Sequence, residues 1–137
     1  MNLVRRFVHH LLPLLLAVLF LFALKQVDVR FFPVITNFNI TDTKVDVSKV
    51  VISGTMHKRR DCEFIQVIAY DSSKALIPIT FMEDASGDRT KTREVGFQIW
   101  GPWSLPNNRP GVITLYARHQ CNPFWQTTAE LIHFTVI

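Results

Sequence analysis

The sequence predicts a mainly β protein: one apolar N-terminal helix followed by a two-sheet antiparallel sandwich. Three observations carry that expectation. Residues 7–24, FVHHLLPLLLAVLFLFAL, contain no Asp, Glu, Lys or Arg. From residue 34 onward, β-branched and aromatic residues come in short runs separated by Pro, Gly, Asn, Asp and Ser, which is the signature of strands and turns. After Leu24 no apolar period of 3.6 residues lasts long enough to make a competing helix.

The apolar stretch comes first. As a helix it is about 27 Å long at 1.5 Å per residue, close to the ~30 Å hydrocarbon core of a bilayer. A secretory signal peptide is the rival reading, because the uninterrupted apolar part is only residues 11–24. Such a signal needs small residues at its cleavage site. Ala23 is the only small residue near the end, and Leu21 sits two before it. An uncleaved signal anchor is therefore expected, with residues 1–6 cytoplasmic, 7–24 in the membrane, 25–33 a tether and 34–137 an exported domain. Arg5 and Arg6 before the span, against a mixed Lys25, Asp28 and Arg30 after it, favour a cytoplasmic N-terminus. The domain then lies in the periplasm or the extracellular space, and the bilayer is the first partner. His9 and His10 are expected at the interface, and Pro13 in the first turns, where a missing N–H costs little.

The charge balance follows from this layout. The chain carries +4 overall, but the residues flanking the apolar stretch hold +3 of it and the domain from Phe31 on only +1. A near-neutral domain has no electrostatic footprint for nucleic acid.

Beyond the membrane, Val27, Val29 and Phe31 alternate with Asp28 and Arg30, which suits a first strand or an extended tether. Seven strands are then expected. They run over 34–40, 45–56, 62–70, 76–82, 89–100, 112–119 and 128–137. In the second, apolar parity switches from Val45 and Val47 to Val50 and Ile52, as at a bulge. The third is apolar on both faces and reads as central. The fourth contains Pro78, which suits an edge. The fifth alternates, with Val95, Phe97 and Ile99 expected inward and Thr92, Glu94 and Gln98 outward. Turns are expected at 71–73, 85–88 and 106–111. Seven short strands in some hundred residues suit a sandwich of the immunoglobulin or fibronectin type III kind, with a small barrel as the runner-up.

Cys62 opens the third strand and Cys121 follows the sixth. In a seven-strand sandwich these strands are antiparallel neighbours, so the topology brings the two cysteines together in a compartment that permits disulfides. A metal site using His57, Cys62, His119 and Cys121 is the alternative, without a known zinc spacing.

The candidate functional residues are mostly aromatic or basic. Trp100 and Trp103, in a W-G-P-W stretch, and Phe124 and Trp125 are candidate interaction residues. On loops they offer contact area at low entropic cost, to a protein or to a sugar; as core plugs they close the end of the sandwich. Lys58, Arg59 and Arg60 are expected in a loop, where they meet lipid headgroups. Asn39-Ile40-Thr41 matches the glycan-acceptor pattern. No nucleophile elbow, Gly-rich phosphate loop or paired-carboxylate site stands out, and no cofactor is implied. The expected function is thus a non-enzymatic, membrane-anchored accessory protein whose exported domain contacts another envelope or membrane protein. A glycan- or ligand-binding module is the alternative, and the compact size also suits a phage- or prophage-encoded envelope protein.

Overall fold

A computed structural model describes residues 2–82, 93–108 and 111–136, with backbone only for 2–6. It divides into two compact units, Met1–Phe32 and Pro33–Ile137.

The first unit is a single helix, α1 (Asn2–Phe31), 30 residues long. Within Phe7–Phe31 an 18-residue window has a mean hydropathy of 2.4 and none of it is buried inside the protein, so α1 is long and apolar enough to cross a membrane. Two expectations need correction here. Residues 25–31 are helical rather than an extended tether or a strand. Lys25, Asp28 and Arg30 do not break the turns begun by the apolar run, and Phe32 N still donates to Asp28 O at 3.0 Å. Pro13 is an interior residue, because the helix begins at Asn2. Proline inside a membrane helix is tolerated where the freed backbone group finds another partner.

The second unit is mainly β. Among the described residues it contains eight strands: β1 (Ile35–Val45), β2 (Lys49–Lys58), β3 (Glu63–Asp71), β4 (Leu76–Ile77), β5 (Thr80–Phe81), β6 (Gly96–Pro106), β7 (Gly111–Gln120) and β8 (Gln126–Val136). They form two antiparallel sheets, β1-β2-β6-β5 and β4-β3-β7-β8. Both contribute to one core, with Val50, Ile52, Trp100 and Leu105 from the first and Ala69, Ile113 and Leu115 from the second. The arrangement is sandwich-like.

The expected fourth strand is two strands. Leu76–Ile77 pairs with β3, and Thr80–Phe81 pairs with β6 in the other sheet. Pro78 lies where the chain crosses between sheets, a position that needs no ladder N–H. The parity switch at Val45 and Val47 is a hairpin, not a bulge. β1 runs on to Val45, Asp46 N donates to Lys49 O at 2.8 Å, and Val47 is 95% exposed at the tip.

The largest correction concerns β6. Val95, Phe97 and Ile99 point outward, 53%, 66% and 68% exposed, while Trp100 is 1% exposed. Alternation within residues 92–99 suggests the opposite parity. The indole of Trp100 decides it: this ring has far more apolar area to bury than any neighbour, and its Nε1–H donates to Thr55 O at 3.0 Å. With Trp100 inside, the odd-numbered residues before it must face out.

Registers fix the two ends of the domain. Ile35, Lys58 and Gly96 share one end of the first sheet, and Gln120 pairs with both Glu63 and Gln126 at one end of the second. The chain passes from α1 into β1 at the Ile35 end.

Candidate functional site

The residues singled out from sequence gather mostly in one place, between the sheets toward the Ile35 end. The local chain geometry explains why. β2 alternates Val50, Ile52, Gly54, Met56 and Lys58 on its inner face, all buried. Lys58 is therefore the last inward position of a strand and not a loop residue. It is 2% exposed, which rules it out as a headgroup contact in this fold. Its ammonium donates to Cys62 O at 3.1 Å and to Arg93 O, and lies 3.9 Å from Asp61 Oδ1. Burial lowers the Lys58 pKa from its usual 10.5, and Asp61 opposes that shift. A buried charge is kept only when such partners satisfy it.

The tryptophans form an aromatic column. β2 and β6 lose register between Ile52↔Trp103 and Gly54↔Trp100, so Gly101 and Pro102 are accommodated as a bulge. Gly101 has φ 89°, and a Cβ there would lie 2.8 Å from Ile52 O, so glycine is required. The bulge turns both Trp100 and Trp103 inward. Phe38 stacks on Trp100 with centroids 4.4 Å apart, Trp100 meets Trp103 at 4.4 Å, and Phe81 abuts Trp103 edge-on at 5.6 Å. The W-G-P-W stretch is thus mid-strand and not an exposed loop: Trp100 is a core residue and Trp103 is half-buried.

Cys62 and Cys121 are joined by a disulfide, one step beyond the Glu63↔Gln120 pair. This is the pairing that the strand order implies. With both sulfurs bonded to each other, the alternative metal set has no thiolates to offer, and the described residues contain no cluster of three metal-ligating groups. His119 lies two residues before Cys121 and is 4% exposed. Its ring meets Phe64 edge-on at 5.7 Å. Burial, and secondarily the nearby Lys58 charge, lowers its pKa from 6.5 to about 4. Alternating apolar residues on β7 could have placed His119 inside from sequence, since Ile113, Leu115, Ala117 and His119 share one face.

Lys58, His119, Trp100, Trp103, Phe38 and Phe64 line a cavity of about 60 Å³. That volume holds about two waters and is far below the ~300–1,000 Å³ of typical organic-ligand pockets. With the lysine donors engaged by carbonyls, the geometry is that of an internal clasp.

The remaining candidates are peripheral. Arg59 is exposed and Arg60 half-buried. Phe124 is 74% exposed, and its ring lies 6.3 Å from that of half-buried Trp125. Asn122 Oδ1 accepts from both their backbone N–H groups, at 2.9 and 3.2 Å, which fixes this turn. What sequence reasoning missed is the outer face of the first sheet. Thr36, His57 and Phe97 stand in one register row, and Asn39, Thr55 and Ile99 in the next. Comparison with protein-family models, curated proteins and solved structures found no match.

Proposed function

We propose that this chain is a single-pass, membrane-anchored, non-enzymatic accessory protein whose domain lies on the exported side and contacts another membrane or envelope protein. One observation carries the contact: the exposed Phe97 and Ile99 on β6, with exposed Val95 just before it. Scattered exposed apolar residues are ordinary, but contiguous ones mark interaction sites. The flanking side chains Thr36, Asn39, Thr55 and His57 are polar without carrying Asp, Glu, Lys or Arg. An apolar centre without charged side chains inside a polar rim is the composition of a protein interface, and Arg93, whose guanidinium donates to Ile99 O at 2.8 Å, belongs to that rim.

Anchoring is supported by the hydropathy of α1 and by Arg5 and Arg6 at its N-terminal side. Export is supported by the disulfide. The strand order β1-β2-β6-β5 against β4-β3-β7-β8 supports an immunoglobulin-like reading of the sandwich. Residues 32–34 alone separate α1 from β1. The test is purification of the tagged full chain from membranes in mild detergent. A stoichiometric partner that is lost in Phe97→Glu supports the proposal. Recovery of the chain alone, or a partner retained by Phe97→Glu, counts against it.

A further inference from the structure

The second sheet presents a different surface on its outer face. Tyr70 on β3 and Tyr116 on β7 point away from the core, because their neighbours Ala69, Leu115 and Ala117 are buried. The two phenol rings meet edge to face, with centroids 5.9 Å apart. Together with Thr114 and the turn after β3 they border a groove of about 430 Å³, lined also by Asp71, Ser72 and Lys74.

The turn forming one wall is held by its own hydrogen bonds. Asp71 Oδ1 accepts from Ser73 N at 2.9 Å, Ser73 Oγ at 2.6 Å and Ala75 N at 2.9 Å. Asp71 N donates to Ala75 O, and Lys74 N donates to Asp71 O. Lys74 takes φ 64°, which turns the chain back on itself. The wall is thus formed before any ligand arrives, and a preformed wall lowers the ordering cost of binding. The opposite wall is built on paired strands, with Tyr70 opposite Thr114.

The chemistry of the lining selects a ligand class. The two rings, inclined at 71° to one another, form an apolar corner in which one offers its face and the other its edge. Ser72 and Thr114 offer hydroxyls that both donate and accept, and Lys74 offers an ammonium that donates. A polyol ring has the matching pattern: a face of C–H groups and an equator of hydroxyls. We propose that this groove binds a pyranose unit of a glycan, its C–H face on one phenol ring and its edge against the other in the Tyr70–Tyr116 corner, with its hydroxyls toward Ser72, Thr114 and Lys74. The groove lies toward the Gly111 end, opposite the end where the chain leaves α1, since Asp71 pairs with Ile113 and Gly111 with Val136. It uses none of the residues of the β6 face, so either site stands if the other fails.

The test is saturation-transfer NMR on the full chain in nanodiscs, with a panel of methyl glycosides of hexoses and N-acetylhexosamines and their short oligomers. At least one probe should bind, with saturation strongest on the protons of one ring face. Tyr70→Ala and Tyr116→Ala should each weaken it about tenfold, while Tyr116→Phe retains most of the binding. If Tyr116→Ala disturbs the strand pairing, Tyr70→Ala and Lys74→Ala are read instead. Absence of binding across the panel overturns the assignment, as does binding that Tyr70→Ala and Lys74→Ala leave unchanged.

Discussion

Replacing His119 removes a pH dependence that the fold builds in. The imidazole is enclosed between β2 and β3, facing Lys58 and Phe64, and its pKa is lowered from 6.5 to about 4. In the unfolded chain the ring takes up a proton near pH 6.5; in the folded domain it resists until about pH 4. The unfolded state therefore binds more protons between these values, and stability falls as the pH drops. The His119 contribution is fully present above pH 6.5, lost progressively down to pH 4, and constant below that. At about 1.4 kcal/mol per pH unit, the loss amounts to roughly 3 kcal/mol, a large part of a small domain's stability. Urea unfolding of the full chain in detergent, followed by tryptophan fluorescence at pH 7 and pH 4, measures it. His119→Leu keeps an apolar side chain in place but cannot be protonated. Between the two pH values wild type should lose roughly 3 kcal/mol more than the variant. Carboxylates titrate in both proteins and cancel in the difference. Parallel pH profiles would refute the claim that the buried ring stays neutral.

Two further substitutions probe the framework. Loss of the bridge in Cys62→Ala/Cys121→Ala frees a loop with a sequence separation of 59 and should cost about 4 kcal/mol on the chain-entropy model, read from the urea midpoint with and without reductant. Gly54→Ala should destabilise by more than about 3 kcal/mol, because its Cβ would lie 1.9 Å from Asn39 O and 2.8 Å from Trp100 Cζ2; a variant as stable as wild type would mean that β1 does not cross there as described.

How much of this is legible in the residues depends on which side chains compete. Runs of β-branched and aromatic residues mark β2, β3, β7 and β8 to within a few residues, because each strand buries one alternating face. The Cys62–Cys121 pairing follows from strand order alone. The Asp71-Ser72-Ser73 turn is legible because an Asp side chain can cap its own turn. The parity of β6 is not, since Val95, Phe97 and Ile99 form a locally consistent inward face. Only the requirement to bury Trp100 and the bulge at Gly101-Pro102 reverses it. Lys58 likewise reads as the start of a basic loop, K-R-R-D, until the alternation from Val50 is carried one position further. The tyrosine groove is invisible in sequence, for Tyr70 and Tyr116 lie 46 positions apart and meet only through the β3–β7 register.

The account's central claim is that the outward β6 face is a protein contact on a membrane-anchored domain. It is tested most directly by placing a photo-crosslinking benzophenone amino acid at Phe97 in the full chain, in living cells. The account predicts an adduct of one discrete mass in the membrane fraction, abolished by Ile99→Glu and not formed from the same probe at Thr128 on the other sheet. Crosslinks to lipid alone, no adduct at all, or equal adducts from Phe97 and Thr128 would contradict it.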